Sequence, residues 1–258
     1  MTLDHPAYGL LRQVTDTASV LLCNNPGLLT LDGTNTWVLR GPGSDEMVVV
    51  DPGPEDDEHI ATLAGLGTIP LVLISHKHED HTGGIDKIVE RTGAVVRSVG
   101  SGFLRGLGGP LTDGEVIDAA GLHITVMATP GHTADSVSFL LDDAVLTADT
   151  VLGRGTTVID NEDGSLGNYM ESLRRLHGLG QRTVLPGHGP DLEDLEAVSA
   201  MYLAHREERL DQVRDALRVL GDDASARQIV EHVYTDVDEK LWDAAEWSVQ
   251  AQLDYLWS

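Results

Sequence analysis

Cysteine, aromatic residues, positive charge and long apolar runs are all scarce in this 258-residue chain. The single cysteine, Cys23, excludes an intramolecular disulfide and fits a reducing compartment. Four Trp, five Tyr and two Phe offer no obvious stacking platform for single-stranded nucleic acid. Lys and Arg number 17 against 42 Asp and Glu, a net charge of −25. That balance opposes broad affinity for phosphate backbones and for anionic membrane surfaces. No apolar run approaches the ~18–20 residues that span a bilayer, so no membrane association is expected. Met1–Val14 lacks the basic segment and apolar stretch of a secretory signal, and a cytoplasmic location is expected. An apolar fraction of 41 % separates the chain from acidic disordered tails, and its length suffices for a buried core.

What is present begins with short β-rich runs over the first three quarters. They are Ser19–Cys23, Thr36–Arg40, Met47–Asp51, Leu71–Ser75, Ala94–Val99, His123–Met127, Ser136–Leu141, Ala144–Thr147 and Thr183–Leu185. Gly, Pro and Asp punctuate them, as in Gly41-Pro42-Gly43 and Asp113-Gly114. Helical patterns fall between some of them, at about Glu55–Gly65, Gly84–Thr92 and Tyr169–Leu176. This mixture predicts an α/β protein with layered sheets. From Asp191 to Leu220 the pattern is helical, then Gly221-Asp222-Asp223 interrupts it. Ser225 reads as an N-cap for Ala226–Tyr234, and a last helix runs over about Asp238–Trp257.

The informative segment follows Leu71–Ser75. An apolar strand runs directly into His76-Lys77-His78-Glu79-Asp80-His81, and Thr82-Gly83-Gly84 opens a helix. Imidazole nitrogen and carboxylate oxygen are the ligands that zinc and similar ions prefer. His76 and His78 are two apart, so an extended backbone places them on one side, while Asp80 and His81 lie across the turn. Further candidates stand just beyond other strands: His132 in Thr129-Pro130-Gly131-His132, Asp149 in Thr147-Ala148-Asp149, and His188 in Pro186-Gly187-His188. Each of these three also reads, taken alone, as a turn or cap residue.

Together they resemble the metallo-β-lactamase superfamily of metal-dependent hydrolases, over roughly Asn25 to Gly189. Asn25-Pro26-Gly27, the Leu31–Thr36 segment, Asp51-Pro52-Gly53-Pro54 and Gly153-Arg154-Gly155-Thr156-Thr157 are similar to the lactamase-beta-2-like branch. The resemblance implies an αββα sandwich with metals at one edge of the two sheets. It divides the chain into a hydrolase domain over 1–220 and a helical, truncated winged-helix-like extension over 221–258. It implies that His76, His78 and His132 hold a first metal, that Asp80, His81 and His188 hold a second, and that Asp149 bridges both. Two zinc ions are expected, with iron or manganese as alternatives.

Such a pair of ions lowers the pKa of a bridging water toward ~7, and the resulting hydroxide is the nucleophile. Asp80 is then both a ligand and the candidate orienter or proton acceptor for that water. Cys23 is left as a small buried residue of its strand. Candidate substrate-binding residues are Asn35, Arg154 and Thr156, which flank strands feeding the site. Arg154 reads as an anion clamp or as a surface Arg in a Gly-rich turn. Asp51 either orients a histidine or opens an Asp-Pro turn, and Tyr169 reaches substrate or packs its helix. His5, His59, His123, His177, His205 and His232 are expected to be surface or structural. His205-Arg206-Glu207-Glu208-Arg209 is expected to be a solvated, ion-paired helix face. Trp242, Trp247 and Trp257 are expected to pack the extension.

The expected function is hydrolysis of an ester, thioester or lactone-type small molecule. Two alternatives are a metal-dependent endoribonuclease acting on single-stranded RNA and a non-catalytic metal-binding module. The composition leaves the oligomeric state open.

Overall fold

The computed structural model describes residues 7–235 and 238–257; His5 lies outside them. The first half of the chain builds one sheet from β1 (Arg12–Gln13), β2 (Ala18–Leu22), β3 (Asn35–Leu39), β4 (Glu46–Val50), β5 (Thr68–Leu73) and β6 (Val95–Arg97), side by side in that order. Neighbours are antiparallel up to β4, then parallel. The switch follows from the connections, because a parallel pair needs a crossover. Helix α1 (Asp57–Gly65) joins β4 to β5, and the single turn α2 (Glu79–Thr82) with α3 (Ile85–Thr92) joins β5 to β6.

The second sheet contains β7 (Val116–Ala119), β8 (Leu122–Ala128), β9 (Val137–Leu140), β10 (Ala144–Ala148) and β11 (Thr183–Pro186), in the spatial order β11-β10-β9-β8-β7. It is an antiparallel meander to β10, after which α4 (Leu166–His177) carries the chain to β11, parallel to β10. The two sheets pack face to face. Val20, Trp37, Val48 and Leu73 from the first meet Ile124, Phe139, Leu146 and Leu185 from the second in one core. The alternate residues Leu21, Val38, Met47, Val49 and Val72 face the other way, under Ile60, Leu63 and Ile88 of α1 and α3. The period of two in the strands thus feeds both layers, which explains why these strands read as continuous apolar runs. On the far face, Val145 and Val184 pack against α4 and against Leu195 and Tyr202 of α5 (Leu195–Leu220). This is the αββα sandwich.

Two differences from the sequence reading have simple causes. β1 is only Arg12-Gln13 and β7 is a four-residue strand interrupted by Asp118, so no apolar run marks either. Helix α5 starts at Leu195 rather than near Asp191, because the Asp194 side chain caps it by accepting from the Ala197 amide. Ser225 does cap α6 (Ala226–Val233), reciprocally with Gln228, and α7 (Trp242–Trp257) closes the described chain. The boundary expected at Gly221 separates helices that share a hydrophobic cluster. Val213 and Leu217 of α5 pack with Ile229 of α6 and Val249 of α7. Among the described residues 221–257 there is no strand, and no described helix is long and apolar enough to cross a membrane.

Topology selects the site. Parallel β4 and β5 end at one edge, as do parallel β10 and β11. β8 runs with β10, since β9 opposes both. The loops after these five strands therefore leave the sandwich at its edges, where side chains can converge.

Candidate metal centre

Those loops carry the motif residues into two adjoining groups. His76, His78, His132 and Asp149 form one, with ligand atoms all within 4.8 Å of one another; Asp80, His81 and His188 form the other. In the first, His78 Nδ1 stands 3.1 Å from His76 Nε2 and 3.0 Å from His132 Nε2, and Asp149 Oδ2 lies 3.7 Å from His132 Nε2. In the second, His188 Nε2 is 3.3 Å from His81 Nε2, 3.1 Å from Asp80 Oδ2 and 3.4 Å from Asp149 Oδ2. Asp149 thus reaches both groups, its Oδ1 lying 3.5 Å from His81 Nε2.

The outer nitrogens assign the tautomers. His132 Nδ1 donates to the Val158 carbonyl at 2.6 Å, and His188 Nδ1 donates to the Gly33 carbonyl at 3.0 Å. His81 Nδ1 donates to Asp51 Oδ2 at 2.9 Å, and His78 Nε2 donates to Asp160 Oδ2 at 2.7 Å. Ser75 Oγ donates to Asp51 Oδ2 at 2.6 Å and so accepts from His76 Nδ1 at 2.9 Å. All five imidazoles are tied outward, which turns five lone pairs inward. Lone pairs 3.0–3.3 Å apart repel unless something electropositive sits between them. Ligands ~2.0–2.1 Å from a tetrahedral ion stand ~3.4 Å apart, close to the separations seen here. Asp149 Oδ1 is also buried without a hydrogen-bond partner. The donor set and this orphaned oxygen fit a pair of metal ions.

Electrostatics separates the two groups. Burial holds the His76 and His132 imidazoles below their ordinary value. Burial also opposes charge on His81, but Asp80, Asp149 and Asp51 outweigh it and raise the imidazole to about 9. His188 is likewise carried well above its ordinary value, by Asp149 and Asp80 against burial. In return, and against their own burial, His81 and His188 pull the Asp80 carboxyl down to about 2. The second group thus favours protonated imidazoles in the absence of a cation, and metal binding there competes with protons.

Local backbone holds the cluster. Asp51, just after β4, stands at φ +54° and Ala148 ends β10 at φ +45°, a left-handed conformation that costs a non-glycine residue ~1–3 kcal/mol. At Asp51 this conformation brings the carboxylate onto the Ser75 amide at 2.8 Å. The Pro-Gly-His repeats also acquire a reason. A Cβ at Gly187 would collide with Asp149 Oδ1 and stand 2.9 Å from His81 Cε1, and one at Gly131 would collide with the Tyr169 backbone. Only glycine lets His188 and His132 approach so closely.

The residues expected to bind substrate separate. Thr156 is exposed and lines a cavity of 770 Å³ that opens on the cluster. Arg154 also lines it, but its guanidinium forms a bidentate pair with Asp32, with Nη2–Oδ1 at 2.9 Å; its charge is already matched, so it is not an open clamp. Asn35 is 2 % exposed and does not face the cavity. Its Nδ2 donates to the Pro186 and Gly189 carbonyls at 3.0 and 2.8 Å, fastening the His188 loop to the first sheet. Tyr169 is fully buried, donating to the Thr150 carbonyl at 2.7 Å. Burial pushes the Cys23 thiol up to about 12, which keeps it from acting as a nucleophile.

The His205–Arg209 stretch corrects the expectation of a solvated, ion-paired face. Arg206 is 3 % exposed, and His205, Arg206 and Arg209 line the cavity. Trp247 joins them from α7. Asp160 and the Val158 carbonyl were not singled out in the sequence. A carboxylate in a turn more than 80 residues after its histidine leaves no local signal.

An αββα sandwich with this His/Asp cluster at its sheet edges defines a candidate metal-binding protein. Comparison with known proteins agrees: the Metallo-beta-lactamase superfamily model matches residues 29–188, and the chain belongs to that family. Superfamily members are generally metal-dependent hydrolases. A Beta-lactamase associated winged helix domain model matches residues 225–257. The chain is 30 % identical over 268 residues to the Beta-lactamase-like protein 2 homolog of Drosophila melanogaster, covering 95 % of this chain and 89 % of that one. It is 33 % identical over 220 residues to Lactamase-like protein vrtG of Penicillium aethiopicum, covering 82 % and 69 %. A solved Beta-lactamase domain protein from Burkholderia ambifaria shares the fold, with TM-score 0.81, 22 % identity and coverage of 98 % and 89 %.

Proposed function

We propose that this protein is a dinuclear zinc hydrolase that cleaves the acyl bond of a small ester, thioester or lactone. His76, His78 and His132 would hold one ion, Asp80, His81 and His188 the other, with Asp149 shared between them. When bound, the two ions polarise the substrate carbonyl and acidify water. The rest falls to the chain. Asp80 borders the cavity and offers a carboxylate oxygen that orients the attacking water and takes its proton. Asp51, Ser75 and Asp160 keep the imidazoles aimed inward. His76, His81, His132 and His188 are buried, while His78 faces the cavity. A cytoplasmic location, with Cys23 as a free thiol, belongs to the same reading.

The observation that carries the substrate class is the cavity. Its 770 Å³ suits a compact ligand, and Leu28, Leu29, Leu152, Leu241, Ala245 and Trp247 give it an apolar wall. The winged-helix match supports an RNA reading, yet residues 221–258 hold nine acidic residues against Arg227 and Lys240. The test is a panel of thioester, lactone, phosphodiester and single-stranded RNA substrates against protein of measured metal content. Chelator-sensitive acyl hydrolysis that zinc restores and His78→Ala abolishes is the expected result. Metal-dependent RNA cleavage without acyl hydrolysis would overturn it.

A further inference from the structure

The cavity has a cationic strip that the hydrolytic chemistry does not use. His205, Arg206 and Arg209 follow one another along α5 and all line it. Many of the scarce cations sit on carboxylates, among them Arg97 on Glu115, Arg175 on Asp113, Arg214 on Asp211 and Arg227 on Asp243, whereas Arg182 donates to the Leu141 and Asp142 carbonyls. Among the described residues, Arg206 and Arg209 have no carboxylate at ion-pair distance. The nearest groups are neutral. Arg206 donates to the Thr157 carbonyl and lies 4.9 Å over the Tyr169 ring; Arg209 donates to Gln212 Oε1 at 2.9 Å and lies 4.7 Å over the Tyr234 ring.

The anomaly is sharpest at Arg206. A guanidinium 3 % exposed, with Nε buried and unpartnered, carries a desolvation cost that the Tyr169 face and one carbonyl offset only in part. In a chain with 42 acidic residues, a carboxylate partner would be easy to supply. Leaving the charge open toward a cavity otherwise walled by Leu152, Leu241 and Trp247 makes that wall a receptor for an anion attached to an apolar body. The neighbouring imidazole reports the same field: burial, then the charges of Arg206 and Arg209, hold His205 below its ordinary value.

We propose that His205, Arg206 and Arg209 form an anion subsite, and that the substrate carries a carboxylate or phosphate group in addition to its scissile acyl bond. The assignment of that second group rests on the acyl-hydrolase reading; the subsite itself does not. Both guanidiniums lie over tyrosine rings, and the N–H groups not taken by the Thr157 carbonyl and Gln212 are the donors assigned to the oxyanion. The apolar wall then positions the body of the molecule between this anchor and the His/Asp cluster.

Equilibrium binding tests the subsite without any turnover. Zinc-loaded protein is titrated with decanoate, decyl phosphate and neutral decanamide, following tryptophan fluorescence, in the native chain and in Arg209→Gln. The expected result is roughly a 10-fold weaker Kd for an anionic probe in the variant, with decanamide unchanged. Anion binding to the metal ions is common to both proteins and cancels. Whichever anion loses more identifies the group. Equal losses for all three probes, or no loss for either anion, would overturn the proposal. Arg206→Gln is the stronger test where circular dichroism shows it folded, and Arg209→Lys, which keeps the charge but not the planar fork, should bind the anion with an affinity between those of the native chain and Arg209→Gln. In the activity arm, an acyl thioester ending in a carboxylate should show a lower KM than its methyl ester, and Arg209→Gln should erase that difference. If no thioester is hydrolysed but anion binding still falls in Arg209→Gln, the subsite stands and the acyl-hydrolase reading fails.

Discussion

The two ends of the cavity are built on opposite rules. At the sheet edge, every imidazole is tied by its outer nitrogen to Asp51, Ser75, Asp160 or a backbone carbonyl, and glycines 131 and 187 leave no spare room. On the helical wall, Leu241, Ala245 and Trp247 have apolar contacts, and the arginines beside them lack carboxylates. The first end is over-determined by directional bonds and tolerates one arrangement. The second is held by non-directional packing, which can be recut residue by residue. On the proposed function, the first end fixes the chemistry and the second the selection, so mutations at the two ends should differ in kind.

The comparison breaks most visibly at the inner ligands. His78→Ala or Asp149→Ala removes a donor that no neighbour can replace. Either should lower hydrolysis by ~10³-fold or more and cut bound metal by elemental analysis, while the fold survives in circular dichroism. A variant that keeps full metal content and activity would remove the residue from the site.

Acid should also single out the sheet-edge end. His59 is 6 % exposed, and its Nε2–H donates to Thr36 Oγ1 at 2.8 Å, which itself donates to the Asp51 carbonyl at 2.7 Å. Burial lowers the imidazole to about 4, from 6.5 in the unfolded chain. Between those values the unfolded state binds the extra proton and the folded state does not. The contribution is therefore complete above pH 6.5 and lost as pH falls toward 4, a swing of ~3 kcal/mol. Denaturant midpoints of chelated protein at pH 7 and 4.5 should shift less in His59→Gln than in the native chain; equal shifts would remove His59 from the acid response.

A smaller effect lies one bond further out. Asp51→Asn keeps size but weakens the acceptor shared by Ser75 and His81. Metal affinity measured with a competing chelator should fall ~10- to 100-fold, with the residual activity recovered by excess zinc.

How much of this could be read from the chain follows the same division. The seven residues of the cluster stood out because each directly follows an apolar strand, and strand ends are where topology gathers side chains. Ser225 was legible as a cap because capping is local. The cavity wall was not legible. Arg206 looks like any charge at helical spacing, and only the packing of α5 over Tyr169 buries it. Arg154 looked like a clamp because its partner, Asp32, lies 122 residues away. Asn35 looked like a substrate contact because it flanks the right strand, but its side chain turns toward Pro186 and Gly189. Pairings of that reach have no periodic signature.

Trp247 gives the finest separation of the two ends. It is 39 % exposed, lines the cavity from α7 and is not one of the clustered ligands, so its removal should leave the metal centre intact. Trp247→Ala removes apolar wall area that only a sufficiently long substrate covers. At ~25 cal/mol per Å², the loss of ~40–50 Å² of contact is worth about 1 kcal/mol. KM for a long acyl substrate should therefore rise ~5-fold, KM for an acetyl substrate should stay put, and kcat and metal content should be unchanged in both. A fall in kcat with both substrates would mean that the wall reaches the chemistry, and the division between a rigid catalytic edge and an adaptable selecting wall would then be wrong.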